Sequence, residues 1–435
     1  MKPPGPQGWE LIKTIWSFQR DPLSTMARIT AKYGDIVSYR FGPFPVVLLN
    51  HPEAVNRALI DNHPNYGKKH SPFYKMLRAF LGEGLLTSDG DFWLRQRRLA
   101  QPAFQRKKIE AMAPVIVRCT EEMIEDWRRL PPGTRIDASE EMMHLTLRIV
   151  GLLLFSQDLS STRDSVGGAL DELQVQMGER FSALVPLPPV LPTPRDQRFR
   201  DARDKLTRLA LTLVAERRND PNPPQDLLTS LLQARDPETG DGMTDQQACD
   251  ELITFMLAGH ETTANTLAWA FYLLSKHPQT RRRLEGELGE SSEGAATRGL
   301  SDRVILETLR LFPPAWVFGR RSYGGDTFRG FEIGENQSVT ISPYILHRHP
   351  EFWPNPEGFD PDRFLQEIPR GAFVPFAAGP RQCIGNHFAL LESRLILNTI
   401  ARQVRLNLAP GVWPTLEPMI TLRPGGGLPV MLEFV

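Results

Sequence analysis

A mainly α-helical fold with minor β-sheets, packed as one large domain over residues 1–435, is what the sequence predicts, and three observations predict it. Segments of helical periodicity follow one another from about residue 92 to 310, among them Val115 to Trp127, Glu140 to Phe155 and Asp201 to Arg217. Strand-like alternation is confined to the two ends of the chain. No Gly/Ser linker and no fixed repeat divides the 435 residues.

In order along the chain, Ile36 to Arg40 and Val46 to Leu49 read as early strands. Gln337 to Ile341 and Val404 to Leu408 read as late ones, and Met419 to Leu422 with Val430 to Phe434 as a hairpin about Pro424-Gly425-Gly426-Gly427. The sheet is expected to be mixed or antiparallel. Thr244 and Gln247 can open a long helix as a capping box, and His277-Pro278 should close it after about 30 residues. Prolines at 186, 188, 189, 192 and 194 make Leu184 to Arg195 irregular, and prolines at 350, 354, 356 and 361 do the same for His347 to Phe364. Trp9, Leu11, Ile12, Ile15 and Trp16 share one face of a short helix, expected to dock on the protein's own body, with a membrane surface as the alternative.

Composition narrows the function. Lys plus Arg and Asp plus Glu are 51 each, so the basic surplus that nucleic-acid binding uses is missing. A hydrophobic fraction of 41% supports a large core and a sizeable buried site. Three scattered cysteines, Cys119, Cys249 and Cys383, make no disulfide framework. No run approaches the roughly 18 apolar residues that a membrane span needs, so a soluble protein without a transmembrane anchor is expected, and the cysteine usage fits a reducing cytoplasm.

The segment richest in chemistry is Phe373 to Gly385, which places Cys383 directly before a helical run from Asn386 to about Arg402. Peptide dipoles and free N–H groups at a helix start favour an anion, so the thiolate can serve as nucleophile or metal ligand. Gly379 and Gly385 would let backbone approach the sulfur from both sides. In the middle of the long helix, Ala258-Gly259-His260-Glu261-Thr262-Thr263 combines a costly glycine with hydroxyls able to bond back to carbonyls and bend the helix. Glu307 and Arg310, three residues apart, share a helix face that Pro313-Pro314 soon ends. His387 beside Cys383, and His347 with His349, lack the further ligands of a zinc site, and the Gly425–Gly427 run lacks the Lys-Ser/Thr of a phosphate loop.

Phe376, Gly379, Arg381, Cys383 and Gly385 stand at the spacing of the heme-binding loop of the cytochrome P-450 family, which the chain resembles from about Pro3 to Phe434. One departure is Ala377, where the family usually has Gly, Ser or another small polar residue, a change expected to matter little. The resemblance implies a cytochrome P-450 fold and heme b as cofactor, with Cys383 the axial ligand of the heme iron. It implies Phe376 shielding the sulfur beside Gly385, with Arg381, Trp93, Arg97 and Arg320 binding the propionates; adjacent Arg321 competes with Arg320 for that role. It makes Glu261 and Thr262 the acid and alcohol that deliver protons to dioxygen, and Glu307, Arg310 and Arg363 a structural lock behind the cysteine loop. Phe255, Ala258, Ala315, Trp316, Val317, Met419 and Ile420 are the implied pocket walls, with Tyr66 to Leu86 and 184–195 a mobile entrance.

The implied activity is that of an oxidoreductase, a heme-thiolate monooxygenase that inserts one oxygen atom into a lipophilic small molecule of the fatty-acid, terpenoid or carotenoid class. The sequence shows no dinucleotide fingerprint and no Cys-x-x-Cys cluster, so electrons are expected from a separate ferredoxin or flavodoxin with its NAD(P)H reductase. Arg95, Arg98, Arg106, Lys107 and Lys108 are candidates to attract that partner, or simply solvate a helix. The rival readings are a peroxide-driven peroxygenase or isomerase on the same fold, and a non-catalytic heme or lipid-binding protein.

Overall fold

The computed structural model describes residues 1–42, 44–69, 71–159, 166–181, 193–290 and 299–435. Its axis is the helix Asp245–Lys276, 32 residues long. The capping box forms as the sequence predicts: the Gln247 amide donates to Thr244 Oγ1 at 3.2 Å, and the Thr244 amide donates to Gln247 Oε1 at 2.9 Å. This central helix is buried over most of its length, as a helix apolar nearly all round requires. It packs on the helices Ala138–Phe155, Pro194–Asn219, Leu300–Leu311 and Asn386–Ala401. Gly259 permits the first of these crossings, since a Cβ there would lie 3.2 Å from Val150 Cγ2. Leu252, Met256, Leu267, Ile149, Ile396 and Leu397 are among the residues buried between these helices.

The larger sheet has five strands in the order Ile36–Phe41, Phe44–Leu49, Ser338–Ile341, Phe318–Ser322 and Tyr66–Gly67. It is mixed, because Phe44–Leu49 runs parallel to Ser338–Ile341 while the other pairs are antiparallel. The expected C-terminal hairpin is corrected. Leu422–Gly425 pairs with Thr415–Pro418 across a turn at Met419–Thr421, and Pro429–Phe434 pairs instead with Val404–Leu408 and Arg135–Asp137. Gly426 and Gly427, both at positive φ, carry the chain from one sheet to the other rather than folding it back. Pro424 is tolerated because its two-stranded sheet is all edge.

Two irregular stretches were expected. Residues 184–192 of the first lie outside the described residues, while Pro194 and Arg195 begin a helix that Thr193 caps. The second, His347 to Phe364, is irregular apart from a 3-10 turn at Pro361–Leu365. The expected entrance loop from Tyr66 to Leu86 contains the helix Pro72–Leu81, whose Phe80 meets the Phe199 ring edge-on at 4.5 Å. The chain after it is tied to the central helix, the Glu83 amide donating to Asp250 Oδ2 at 2.8 Å and the Leu85 amide to Glu251 Oε2 at 3.0 Å.

Candidate active site

The cysteine segment is shaped by its backbone. The Cys383 amide donates to the Phe376 carbonyl at 2.9 Å, closing the loop around a 3-10 turn at Gly379–Arg381. Gly379 has φ 70°, and a Cβ there would lie 2.0 Å from the Leu59 carbonyl oxygen, so glycine is obligatory. This corrects the expectation that Gly379 admits backbone to the sulfur; it admits the turn at Arg57–Asp61. At Gly385 a Cβ would lie 4.0 Å from Cys383 Sγ, an ordinary contact distance, so the absent side chain is not what sets the approach there, and it is the Gly385 amide that favours the thiolate. Cys383 keeps open surface, yet it lies deep enough that desolvation pushes its thiol above the ordinary range, against the pull of the Gly385 amide and Arg97.

Ala377 is more than a change of size. Its φ is 56°, a left-handed conformation that costs an L-residue about 1–2 kcal/mol. Ala377→Gly should therefore stabilise the protein by up to ~1 kcal/mol after the extra unfolded-chain entropy of glycine is subtracted. Thermal melting of the two holoproteins checks this; an unchanged or lower midpoint would mean the loop carries no strain there.

Cations gather beside this loop. Trp93 and Arg97 lie one turn apart on the helix Gly90–Ala100, so both face the cysteine segment. Arg97 Nη1 donates to the Gln382 carbonyl at 3.0 Å, and the Arg381 guanidinium stacks 4.1 Å from the Trp93 ring centre. Arg320 is buried and reaches Tyr74 Oη at 3.4 Å, whereas Arg321, the next residue on the strand, points to the other face. Lys68 completes the group. Burial, with Arg320 and Arg381 nearby, holds its ammonium well below the usual lysine range, and burial brings Arg381 down to about 10. Asp89 faces them: despite burial it is held down to about 2 by the Tyr323 hydroxyl at 2.6 Å, by Arg381 and by the Lys68 and Lys69 amides.

Several buried cations against one carboxylate fit a ligand that brings two more carboxylates, as the propionates of heme b do. A thiol bonded by a backbone amide fits its iron. Lys68 and Asp89 were not singled out in the sequence; the only signal was Asp89 as helix cap, its side chain accepting from the Gly90 amide.

On the central helix Ala258 is exposed and Thr262 half-exposed although the helix is otherwise largely buried, so positions four apart present one open face. Thr262 Oγ1 donates to the Ala258 carbonyl at 2.9 Å. Thr263 Oγ1 donates to Gly259 at 3.3 Å, and it lies beside the buried Glu392 carboxyl, which burial raises to about 8. The Glu261 carboxylate is buried and accepts from Thr421 Oγ1 at 2.6 Å, while Asn265 Nδ2 donates to the same hydroxyl at 3.0 Å. Glu261 is thus tethered to the Met419–Thr421 turn, a partner that sequence spacing did not indicate.

The remaining implied pocket residues divide. Ala315 is exposed, and Val317, Met419 and Ile420 are half-buried. Trp316 is corrected: its ring is fully buried with Leu23, Tyr39 and Val46, and its Nε1 donates to the Met419 carbonyl at 2.9 Å, so it braces the turn rather than lining a pocket. Phe255 packs in the core, its ring centre 5.5 Å from that of Phe104.

The lock assembles from Glu307, Arg310 and Arg363. Arg310 grips Glu307 with two bonds of 2.7 and 2.9 Å, and Arg363 Nε donates to Glu307 Oε1 at 3.0 Å. Arg310 also donates to the carbonyls of His347, Pro356 and Gly358. From there His347 Nε2 accepts from the Val374 amide at 2.9 Å, which joins the lock to the cysteine segment. Burial holds His347 down to about 3, so it is a neutral acceptor. Among the described residues no group of three or more His, Cys, Asp or Glu side chains is placed to hold a metal ion by itself.

A helical chain that presents a thiol beside buried cations, and an open stretch on its central helix, is built as a heme-thiolate protein. The chain belongs to the cytochrome P450 family, whose family model matches residues 3–429. It is 36% identical over 439 residues to cyclooctatin synthase of Streptomyces melanosporofaciens, covering 97% of this chain and 93% of that one. It is 37% identical to cyclooctat-9-en-7-ol 5-monooxygenase of the same organism over 92% of this chain and 88% of the relative. Pentalenene oxygenase of Streptomyces avermitilis is 33% identical over 95% and 91%. The protein is accordingly an oxidoreductase, a monooxygenase whose cofactor is heme b. Among the described residues no helix is long and apolar enough to cross a membrane.

Proposed function

We propose that this chain oxygenates a terpenoid, with Cys383 as the heme ligand and electrons delivered by a separate ferredoxin or flavodoxin and its NAD(P)H reductase. The observation that carries the reading is the open face of the central helix at Ala258 and Thr262, on a chain whose relatives are named for terpenoid oxidation. Heme, when bound, supplies the iron that activates dioxygen with two electrons. Lys68, Arg97, Arg320 and Arg381 would hold its carboxylates, with Trp93 fixing the Arg381 plane. Phe376 places its carbonyl on the Cys383 amide, so the sulfur is oriented by its own loop.

Thr262 holds a hydroxyl proton at Oγ1 on the open face, resting on the Ala258 carbonyl, from which rotation about one bond can turn it. Glu261, held by Thr421, keeps the adjoining turn in place and stands one residue from that hydroxyl. The attraction of a redox partner falls to fewer cations than the sequence offered. Arg98 is paired with Asp236 and Glu238, Arg106 with Glu110, and Arg95 donates to the Gly242 carbonyl, whereas Lys107 and Lys108 stand exposed. Three unpaired cysteines support a reducing, cytoplasmic setting.

Turnover of a terpenoid panel with NAD(P)H, surrogate ferredoxin and reductase under isotopically labelled dioxygen tests this. One labelled oxygen atom in the product is expected; product with peroxide but none with reduced ferredoxin would overturn the monooxygenase reading.

Thr262→Ala should still bind substrate and consume NAD(P)H but divert reducing equivalents to hydrogen peroxide, at a cost of 10-fold or more in product per NAD(P)H (about 10²–10⁴ is typical of one proton-transfer group). Thr263→Ser is the control, because that side chain points about 100° away and its hydroxyl serves Gly259 and Glu392. Equal coupling in Thr262→Ala and the parent would remove Thr262 from the mechanism.

A further inference from the structure

The N-terminal helix Gly8–Arg20 buries only part of the face that its sequence suggested. Trp9 is 68% exposed, Ile12 45% and Trp16 58%, while Leu11 and Phe18 pack inward on the sheet and on the helix Pro22–Tyr33. Lys13 and Arg20 are exposed as well. On a helix of about 3.6 residues per turn, positions 9, 12, 13, 16 and 20 fall within about 100° of the circumference. One sector therefore carries two tryptophans, an isoleucine and two cations; Glu10 lies outside it and is bound to Lys32 at 2.6 Å.

This face is mounted rigidly. The Phe18 ring stacks on Tyr39 at 5.4 Å, the Ser38 amide donates to the Pro4 carbonyl at 2.8 Å, and the Glu332 amide donates to the Met1 carbonyl at 2.8 Å. Nothing has to fold for the sector to meet a partner. Its composition selects the partner. Tryptophan is apolar in body and polar at its N–H, which suits the headgroup level of a bilayer. Lysine and arginine in the same sector would be a desolvation cost against an apolar protein surface, whereas they gain energy from anionic lipid headgroups.

We propose that Gly8–Arg20 docks this protein on an anionic membrane surface, with Trp9, Ile12 and Trp16 at the headgroup boundary and Lys13 and Arg20 on lipid phosphates. The association is peripheral and independent of the substrate reading.

The test is co-sedimentation of the full-length holoprotein with vesicles of phosphatidylglycerol mixed with phosphatidylcholine, and with phosphatidylcholine alone. Parent protein should partition onto the anionic vesicles and fall off with salt. Trp9→Ser with Trp16→Ser should cut partitioning about tenfold or more, and Lys13→Gln with Arg20→Gln should erase the anionic preference. Trp413→Ser, at a residue 71% exposed elsewhere, controls for general stickiness and should bind like the parent. Failure of the parent to sediment, equal binding to both vesicle types, or undiminished binding of the double tryptophan variant would each overturn the proposal. So would a concentration-dependent dimer that the tryptophan variant abolishes, which would make the face a contact between copies.

Discussion

Cys383→Ser is expected to lose the red-shifted absorption of the reduced carbon monoxide complex together with most of the heme affinity. The loop will still form, since its closing bond uses the Cys383 amide and not its side chain. What disappears is an anionic donor. Desolvation already pushes the Cys383 thiol upward, with only the Gly385 amide and Arg97 pulling back, and a serine hydroxyl, far more basic when ionised, stays a neutral alcohol there. Neither Cys119 nor Cys249 can substitute, as both are buried on other helices. Far-ultraviolet circular dichroism of the variant should match the parent while heme titration collapses; an unchanged carbon monoxide spectrum would place the iron ligand elsewhere.

Glu307→Ala is expected to yield little folded holoprotein, and Arg363→Ala to fail similarly but less completely. Glu307 has no exposure and answers Arg310, Arg363 and the Asp360 amide at once, so its removal leaves two guanidinium groups uncompensated. Breaking a buried pair this way costs ~3–5 kcal/mol, against a total stability of about 5–15 kcal/mol for an ordinary protein. Arg363 is partly exposed, so water recovers some of the loss. Glu307→Gln keeps the shape and should recover part of the yield. Parent-like yield and melting temperature in Glu307→Ala would mean that Arg310 is held by its carbonyl partners alone.

The parts of the site legible in the sequence are those whose geometry is local. Cys383 before its helix, Trp93 with Arg97, and Thr244 with Gln247 are fixed by spacing along one loop or helix, whereas Gly379 packs on the turn at Leu59 and not beside the sulfur. Arg363, 56 residues from Glu307, was legible only through the family pattern. Side-chain direction in irregular chain was not. From Ala315 to Val317 no period says which side chain turns inward, and the bulkiest, Trp316, went to the core where it buries most area. Partners distant in sequence were equally hidden: the Asp236 that occupies Arg98 is 138 residues away, and Thr421 lies 160 residues from Glu261. Ala377 carried no warning, because a left-handed φ is set by the loop and not by the residue.

The cysteine loop is shut by contacts with the opposite end of the chain, which bears on the order in which the protein is made. Arg97 meets Gln382 across 285 residues, Arg381 meets Ser88 across 293, and Gly379 rests on Leu59. Loops of that span pay closure entropy before any contact rewards it, and chains dominated by such pairings fold slowly. The loop's setting is complete only with the helix Gly90–Ala100 and the turn Arg57–Asp61 docked on it, so cofactor capture is expected to close the folding sequence and not to seed it. A nascent chain still tethered before Arg381 has emerged holds its early cations without the loop they serve, and a refolding experiment should show helix signal first and the Soret band last.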